Sequence, residues 1–293
     1  MNFIFIRHGQ GCHNLLSPLY KAKLLRYNDV FDLSNENGKM PMIDPELSIE
    51  GVHNTIRNAK ILKKELKKHG ISNINIVLSS PLLRAMETAY YIKREFKNLD
   101  GKDTSTEGDG SLRSTFTDGD GNRPCSGDLR GIYVAPYLRE IDESGTDPKS
   151  KSSRAIIDTV PAYAMKPLDI QKKYLMSEGI LDQFNFDYLD LNLRKEPGNI
   201  NDFINWFKNS IGNHIQKGVN LNILVVTHAG VLSHATNKGF PNNTGFIVNN
   251  KGEIQILDQK QFLLGDQITK EKVCSLGNTP GEGRCSSICK LMD

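Results

Sequence analysis

The sequence predicts an α/β fold, a three-layer sandwich with a mostly parallel central sheet, and three observations carry that prediction. Phe3-Ile4-Phe5-Ile6 is an apolar run without polar alternation, the pattern of a strand covered on both faces. Ile223-Leu224-Val225-Val226 repeats the pattern near the other end of the chain. Between them, Val52, Ile56, Ala59, Leu62 and Leu66, and later Phe203, Ile204, Phe207, Ile211 and Ile215, recur at the spacing of amphipathic helices.

Composition narrows the function classes. The chain of 293 residues is 38% hydrophobic, enough for a sizeable core in one large or two small domains. Its net charge is only +3, with acidic and basic residues intermixed, so neither nucleic acid nor a membrane is expected as a partner. The first apolar run spans four residues and meets Arg7-His8-Gly9 at once, which fits neither a signal peptide nor a membrane span. Five cysteines (Cys12, Cys125, Cys274, Cys285, Cys289) are an odd, unevenly spread set, read as free thiols in a reducing compartment; a cytoplasmic location is expected. A zinc site in the C-terminal trio would need a fourth ligand that the neighbouring sequence does not offer. Oligomeric state leaves no trace in the sequence.

The elements follow in order. After the first strand comes a polar, turn-rich excursion over 17–45, then a helix entered through Leu47-Ser48-Ile49-Glu50-Gly51. A short strand over 74–78 leads to Ser80, expected to cap a helix whose first residue is Pro81. Arg84 then lies in the first turn, where the helix dipole and a planar guanidinium both favour an anion. Residues 99–131 read as a loop insertion. Asp118-Gly119-Asp120-Gly121-Asn122 hints at a calcium loop, but Arg123 and Leu129 stand where the glycine and the bidentate glutamate are needed. A strand is expected over 132–135. Residues 144–199 read as a cap-like insertion holding a helix over 168–178, and Trp206 as packing rather than ligand stacking. A hairpin is expected from 244–249 and 253–257 around Asn250-Lys251-Gly252. The body is expected to be a single domain over 1–265, with 266–293 a poorly ordered polar tail.

Chemistry gathers at two strand ends. Each apolar run delivers a histidine, His8 and His228, to the carboxyl end of the sheet, where ligands of open α/β folds bind. Gly9 and Gly11 are expected to let the backbone approach an oxyanion. Arg7, His8, Arg84 and His228 together would suit a phosphate dianion, and a neutral histidine can act as a nucleophile toward it. A metal held by the same histidines is the chemical competitor, but it lacks a nearby motif such as His-Glu-x-x-His.

Arg7-His8-Gly9 closing the first strand, Ser80-Pro81-Leu82-Leu83-Arg84-Ala85, Leu138-Arg139-Glu140 and a later strand ending in His228 resemble the histidine phosphatase superfamily, the phosphoglycerate-mutase-like fold. The resemblance runs with gaps from Asn2 to about Leu257. It implies a phosphatase that needs no metal or cofactor and hydrolyses a phosphomonoester through a phosphohistidine. It also implies roles: His8 as nucleophile, Arg7, Arg84 and His228 around the phosphoryl group, Glu140 as proton donor, and Asn14 in the phosphate pocket. Glu143 is a rival for Glu140, and His13 belongs either to the pocket or to its supporting loop. The substrate would be a phosphorylated small molecule or a phosphoprotein. A phosphoglycerate mutase would share these residues, though mutases usually carry Glu-Ser where this chain has Gln10-Gly11. A non-catalytic phosphate-binding protein on the same fold is the third reading.

Overall fold

A computed structural model describes residues 1–26, 42–98, 131–141, 164–189, 196–215, 219–262, 274 and 284–292. Cys125, Glu143, the calcium-like stretch 118–122 and nearly all of the loop insertion lie outside them. The described strands are β1 (Asn2–Arg7), β2 (Ile76–Ser79), β3 (Ile132–Val134), β4 (Phe184–Asn185), β5 (Asn222–Thr227), β6 (Gly245–Val248) and β7 (Ile254–Ile256). They form one sheet in the order β4-β3-β2-β5-β1-β6-β7. Neighbours from β4 to β1 are parallel, whereas β6 and β7 join antiparallel as the expected hairpin. The sheet is therefore mixed and mostly parallel.

Both faces of β1 are covered, which is why its apolar run does not alternate with polar residues. Phe3 and Phe5 point into a core with Phe203 and Phe207 of α5 (Ile200–Asn209), Val225 and Phe246. Ile4 and Ile6 point the other way, against Ala59, Leu62 and Leu66 of α2 (Ile49–Lys68) and Ala85, Ala89 and Ile92 of α3 (Leu83–Asn98). Trp206 packs beside Phe203, as expected. In α2 the Ser48 side chain accepts from the Gly51 N–H, a cap worth about 1 kcal/mol. The buried stripe of α2 is rotated from the expected one near its start: Asn54, Thr55 and Asn58 are buried while Val52 and Ile56 are only partly so, because this end of the helix faces polar loops.

Three expectations are corrected. Helix α3 begins at Leu83, not Pro81, and its end is capped from far away: Asp44 Oδ1 accepts from the Leu83 N–H at 2.8 Å. Part of the supposed tail is packed. There a helix over Ser286–Met292 places Ile288 against Leu15, Leu25, Met42 and Leu19 of α1 (Leu16–Lys21). The four described cysteines are not free thiols: Cys12 pairs with Cys285 and Cys274 with Cys289, with Cα atoms 5.3 and 5.5 Å apart. Arg284 beside the first bridge reaches the buried Glu87 carboxylate at 2.5 Å and Glu178 at 2.6 Å. The described part of the insertion lies against the body. In it α4 (Leu168–Ser177) buries Leu175 with Leu83, Met86 and Val134, and β4 is the sheet's edge strand.

Candidate active site

The parallel strands end at one level, and their backbones fix the loops that follow. The His8 N–H donates to Thr227 O, Ser80 N–H to Val226 O and Ala135 N–H to Ser79 O, each at 2.9 Å. His8, Ser80 and His228 are thereby brought together from three strand ends. The His8 and His228 rings lie 5.0 Å apart, and that of His13 lies 5.9 Å from His8. Arg84, the second residue of α3, is fully buried and donates from Nε to His8 Nε2 at 3.2 Å. Arg7 is anchored through Nη1 to the Phe240 carbonyl at 2.7 Å.

The protonation state of His8 follows from its contacts. Its Nδ1 lies 2.5 Å from the Gly9 carbonyl, which can only accept, so Nδ1 carries the proton and Nε2 the lone pair. Burial, and then Arg84, His228, Arg7 and His13, hold its pKa well below that of free histidine. The ring is thus neutral at neutral pH, with the Nε2 lone pair available. His228 is also buried and also held well below the usual value, by burial and then by Arg84, His13, Arg7 and Arg139. Its Nε2 meets Ser80 Oγ at 2.8 Å and its Nδ1 faces Glu140 Oε2 at 3.7 Å.

Glu140 is 5% exposed and accepts from the Gly230 and Ile141 N–H groups at 3.0 and 3.2 Å. Burial raises its pKa to about 7 against the pull of Arg84, Arg7 and those two N–H groups. A carboxyl poised there can give a proton at one step and take one at the next. Position 230 must be glycine for this contact, because a Cβ would stand 2.2 Å from Ile141 O and 3.0 Å from Glu140 Oε1.

The other glycines and the α3 terminus act differently from the expectation. Gly9 N–H donates to Thr88 Oγ1 and Gly11 N–H to Asn14 Oδ1, and Leu83 N–H is held by Asp44. None of these three groups is left to meet an anion. At Gly11 a Cβ would stand 2.8 Å from His13 Nδ1 and 3.2 Å from Arg84 Cδ, so this glycine makes room for site side chains. Asn14 is turned into its own loop, with Nδ2 3.1 Å from His13 Nε2. Ser80, read from sequence as a helix cap, keeps a cap-like contact, its Oγ accepting from the Leu82 N–H at 3.4 Å, and also partners His228; the serine was visible but not the strand order that sets it beside that ring.

His8, Glu140 and His228 can bring one ligand atom each within 4.8 Å of one another, the donor set of a metal site. The neighbouring charge opposes a cation. Arg84 Nε stands 3.2 Å from His8 Nε2, so a divalent ion bound to that nitrogen would lie beside a guanidinium, repelled by roughly 8 kcal/mol at a separation of about 4 Å and an effective dielectric near 20. The same charges favour a dianion.

No described helix is long and apolar enough to cross a membrane. No protein-family model matches the chain, and no curated protein does. Among solved structures it is similar to an ecdysone phosphate phosphatase from Bombix mori in complex with tungstate, at 14% identity and TM-score 0.43, covering 92% of this chain and 95% of that one. It is also similar to a mycobacterial hydrolase, at 12% identity and TM-score 0.40, covering 93% and 94%. A mycobacterial glucosyl-3-phosphoglycerate phosphatase matches at 13% identity and TM-score 0.36, covering 87% and 97%. The residues through which the sequence resembles the histidine phosphatase superfamily, Arg7, His8, Arg84, Glu140 and His228, meet in one cluster, all of them buried but the half-buried Arg7.

Proposed function

We propose that this protein is a metal-independent phosphatase that hydrolyses a phosphomonoester of a small molecule or a protein through a phosphohistidine on His8. The observation that carries the reading is a neutral, buried His8 whose Nε2 faces Arg84, within the field of Arg7 and next to a carboxyl of pKa about 7. In this mechanism Arg7, Arg84 and His228 bind the equatorial oxygens, and His8 Nε2 attacks phosphorus. The ester P–O bond breaks as Glu140 gives its proton to the leaving oxygen. Glu140, now a carboxylate, takes a proton from the water that attacks phosphohistidine, releasing phosphate and restoring both groups. Asn14 serves the pocket by orienting His13, and residues 1–265 act as one catalytic body. The cytoplasmic placement rested on free thiols; two disulfides fit an oxidising compartment better.

Mixing enzyme with p-nitrophenyl phosphate in excess chelator and quenching in alkali should trap an acid-labile phosphoryl group on the peptide containing His8. The His8→Ala variant should give no adduct and about 10⁴-fold less turnover. Turnover that vanishes with chelator and returns with zinc, or an adduct on another residue, would overturn the mechanism.

A further inference from the structure

His13 presents a second ring nitrogen beside the phosphate cluster, and the loop around it decides what that nitrogen carries. Asn14 Oδ1 accepts from the Gly11 N–H at 3.0 Å, which orients the amide so that Nδ2 faces His13 Nε2 at 3.1 Å. An amide nitrogen can only donate, so Nε2 accepts and the proton of the neutral ring belongs on Nδ1. Burial, with Arg84 and Arg7 adding to it, holds the ring neutral, its pKa well below that of free histidine. The Nδ1 atom is itself buried and has no hydrogen-bond partner among the described residues.

A buried donor left unpaired is costly, about 1–3 kcal/mol, so this one calls for an acceptor from outside the described residues. The neighbours of Nδ1 identify that atom's chemistry. A Cβ at Gly11 would lie 2.8 Å from Nδ1 and 3.2 Å from the Arg84 side chain, so glycine here keeps the two side by side. The field on the ring comes from Arg84 and Arg7, the guanidiniums assigned to the phosphoryl group.

We propose that the His13 Nδ1–H is a further hydrogen-bond donor to a non-bridging oxygen of the bound phosphoryl group, with Asn14 setting its tautomer. The proposal rests on the phosphate-site reading above. It makes the site a three-histidine one: His8 attacks, His228 stands toward Glu140, and His13 grips from the Arg84 side.

Asparagine and glutamine separate this role from loop support, because an Asn amide reaches the place of Nδ1 and a Gln amide that of Nε2. Donation from Nδ1 predicts that His13→Ala lowers kcat/KM for p-nitrophenyl phosphate about 10- to 100-fold and weakens vanadate inhibition about 10-fold. His13→Asn should recover most of both, and His13→Gln should resemble His13→Ala. Recovery by Gln and not by Asn would show that His13 acts through Nε2 on its loop, and would overturn the proposal. An Ala variant with wild-type affinity for vanadate would do the same. Should the Ala variant fail to fold, Asn against Gln decides. Calorimetric titration with inorganic phosphate separates this proposal from the hydrolytic one: wild type without turnover but with His13-dependent phosphate affinity keeps the Nδ1 contact and discards hydrolysis. Wild type that binds no phosphate discards both.

Discussion

The ends of β1 and β5 are built alike, a buried apolar strand running into a histidine, yet the two histidines are held by different kinds of partner. His8 gives its Nδ1 proton to a backbone carbonyl, an acceptor that cannot reverse. His228 meets the Ser80 hydroxyl, which can donate or accept, and looks toward a carboxyl that titrates near neutrality. The first ring is locked in the tautomer a nucleophile needs. The second can exchange the proton between its nitrogens as charge at the site changes. What distinguishes them is the chemistry of one neighbouring oxygen rather than the strand that carries them.

Glu140 offers the largest test of this contrast, since its carboxylate faces His228 Nδ1 at 3.7 Å whereas the Nδ1 proton of His8 is held by a backbone carbonyl. Glu140→Gln should lower kcat/KM for an alkyl phosphate about 10³-fold but for p-nitrophenyl phosphate only about 10-fold, because nitrophenolate leaves without a proton. The carboxyl is mostly protonated at pH 6 and mostly ionised at pH 8, given a pKa of about 7. Wild-type kcat/KM for alkyl phosphates should therefore fall about tenfold per unit above pH 7, and the Gln variant should lack that limb. Equal losses on both substrates would remove Glu140 from the acid role.

Ser80→Ala deletes the reversible partner of His228 and should cost about tenfold in kcat/KM while leaving formation of the His8 adduct detectable. If Ser80→Ala abolished the adduct, the two histidines would be one unit and the contrast would fail. The smallest effect on turnover is expected at the tether that only the His8 loop possesses. Cys285→Ser should change kcat less than twofold yet lower stability by about 2–4 kcal/mol, read as a melting shift that reductant, which also opens Cys274–Cys289, equals or exceeds in the wild type. A dead Cys285→Ser enzyme would mean the bridge shapes the site.

What was legible in the sequence was what strand burial writes locally. β1 and β5 are buried on both sides and so appear as unbroken apolar runs, and the residues that follow them had to sit at the sheet's carboxyl end. Arg84 was legible because it lies one residue inside a helix whose start was misplaced by only two positions. That misplacement has a distant cause: the group capping α3 is Asp44, 39 positions upstream. Ser80 was visible through its cap-like contact with the Leu82 N–H, but its second partner, His228, lies 148 positions away and left no local sign. Gly9 and Gly11 were seen to matter, but whether a glycine offers an N–H or clears space depends on Thr88, Asn14 and His13 folding over it. Of the cysteine pairs, Cys12–Cys285 left no local mark at all, its members being 273 positions apart.

That last pairing closes residues 12–285 into a covalent ring. Any single backbone cut between Cys12 and Cys285 yields two pieces that remain joined by sulfur, with the segment bearing His8 still fastened to the C-terminal one. Such a nicked molecule would migrate as one species without reductant and as two with it. Inside the ring, parting the two pieces takes two events, one hydrolytic and one reductive.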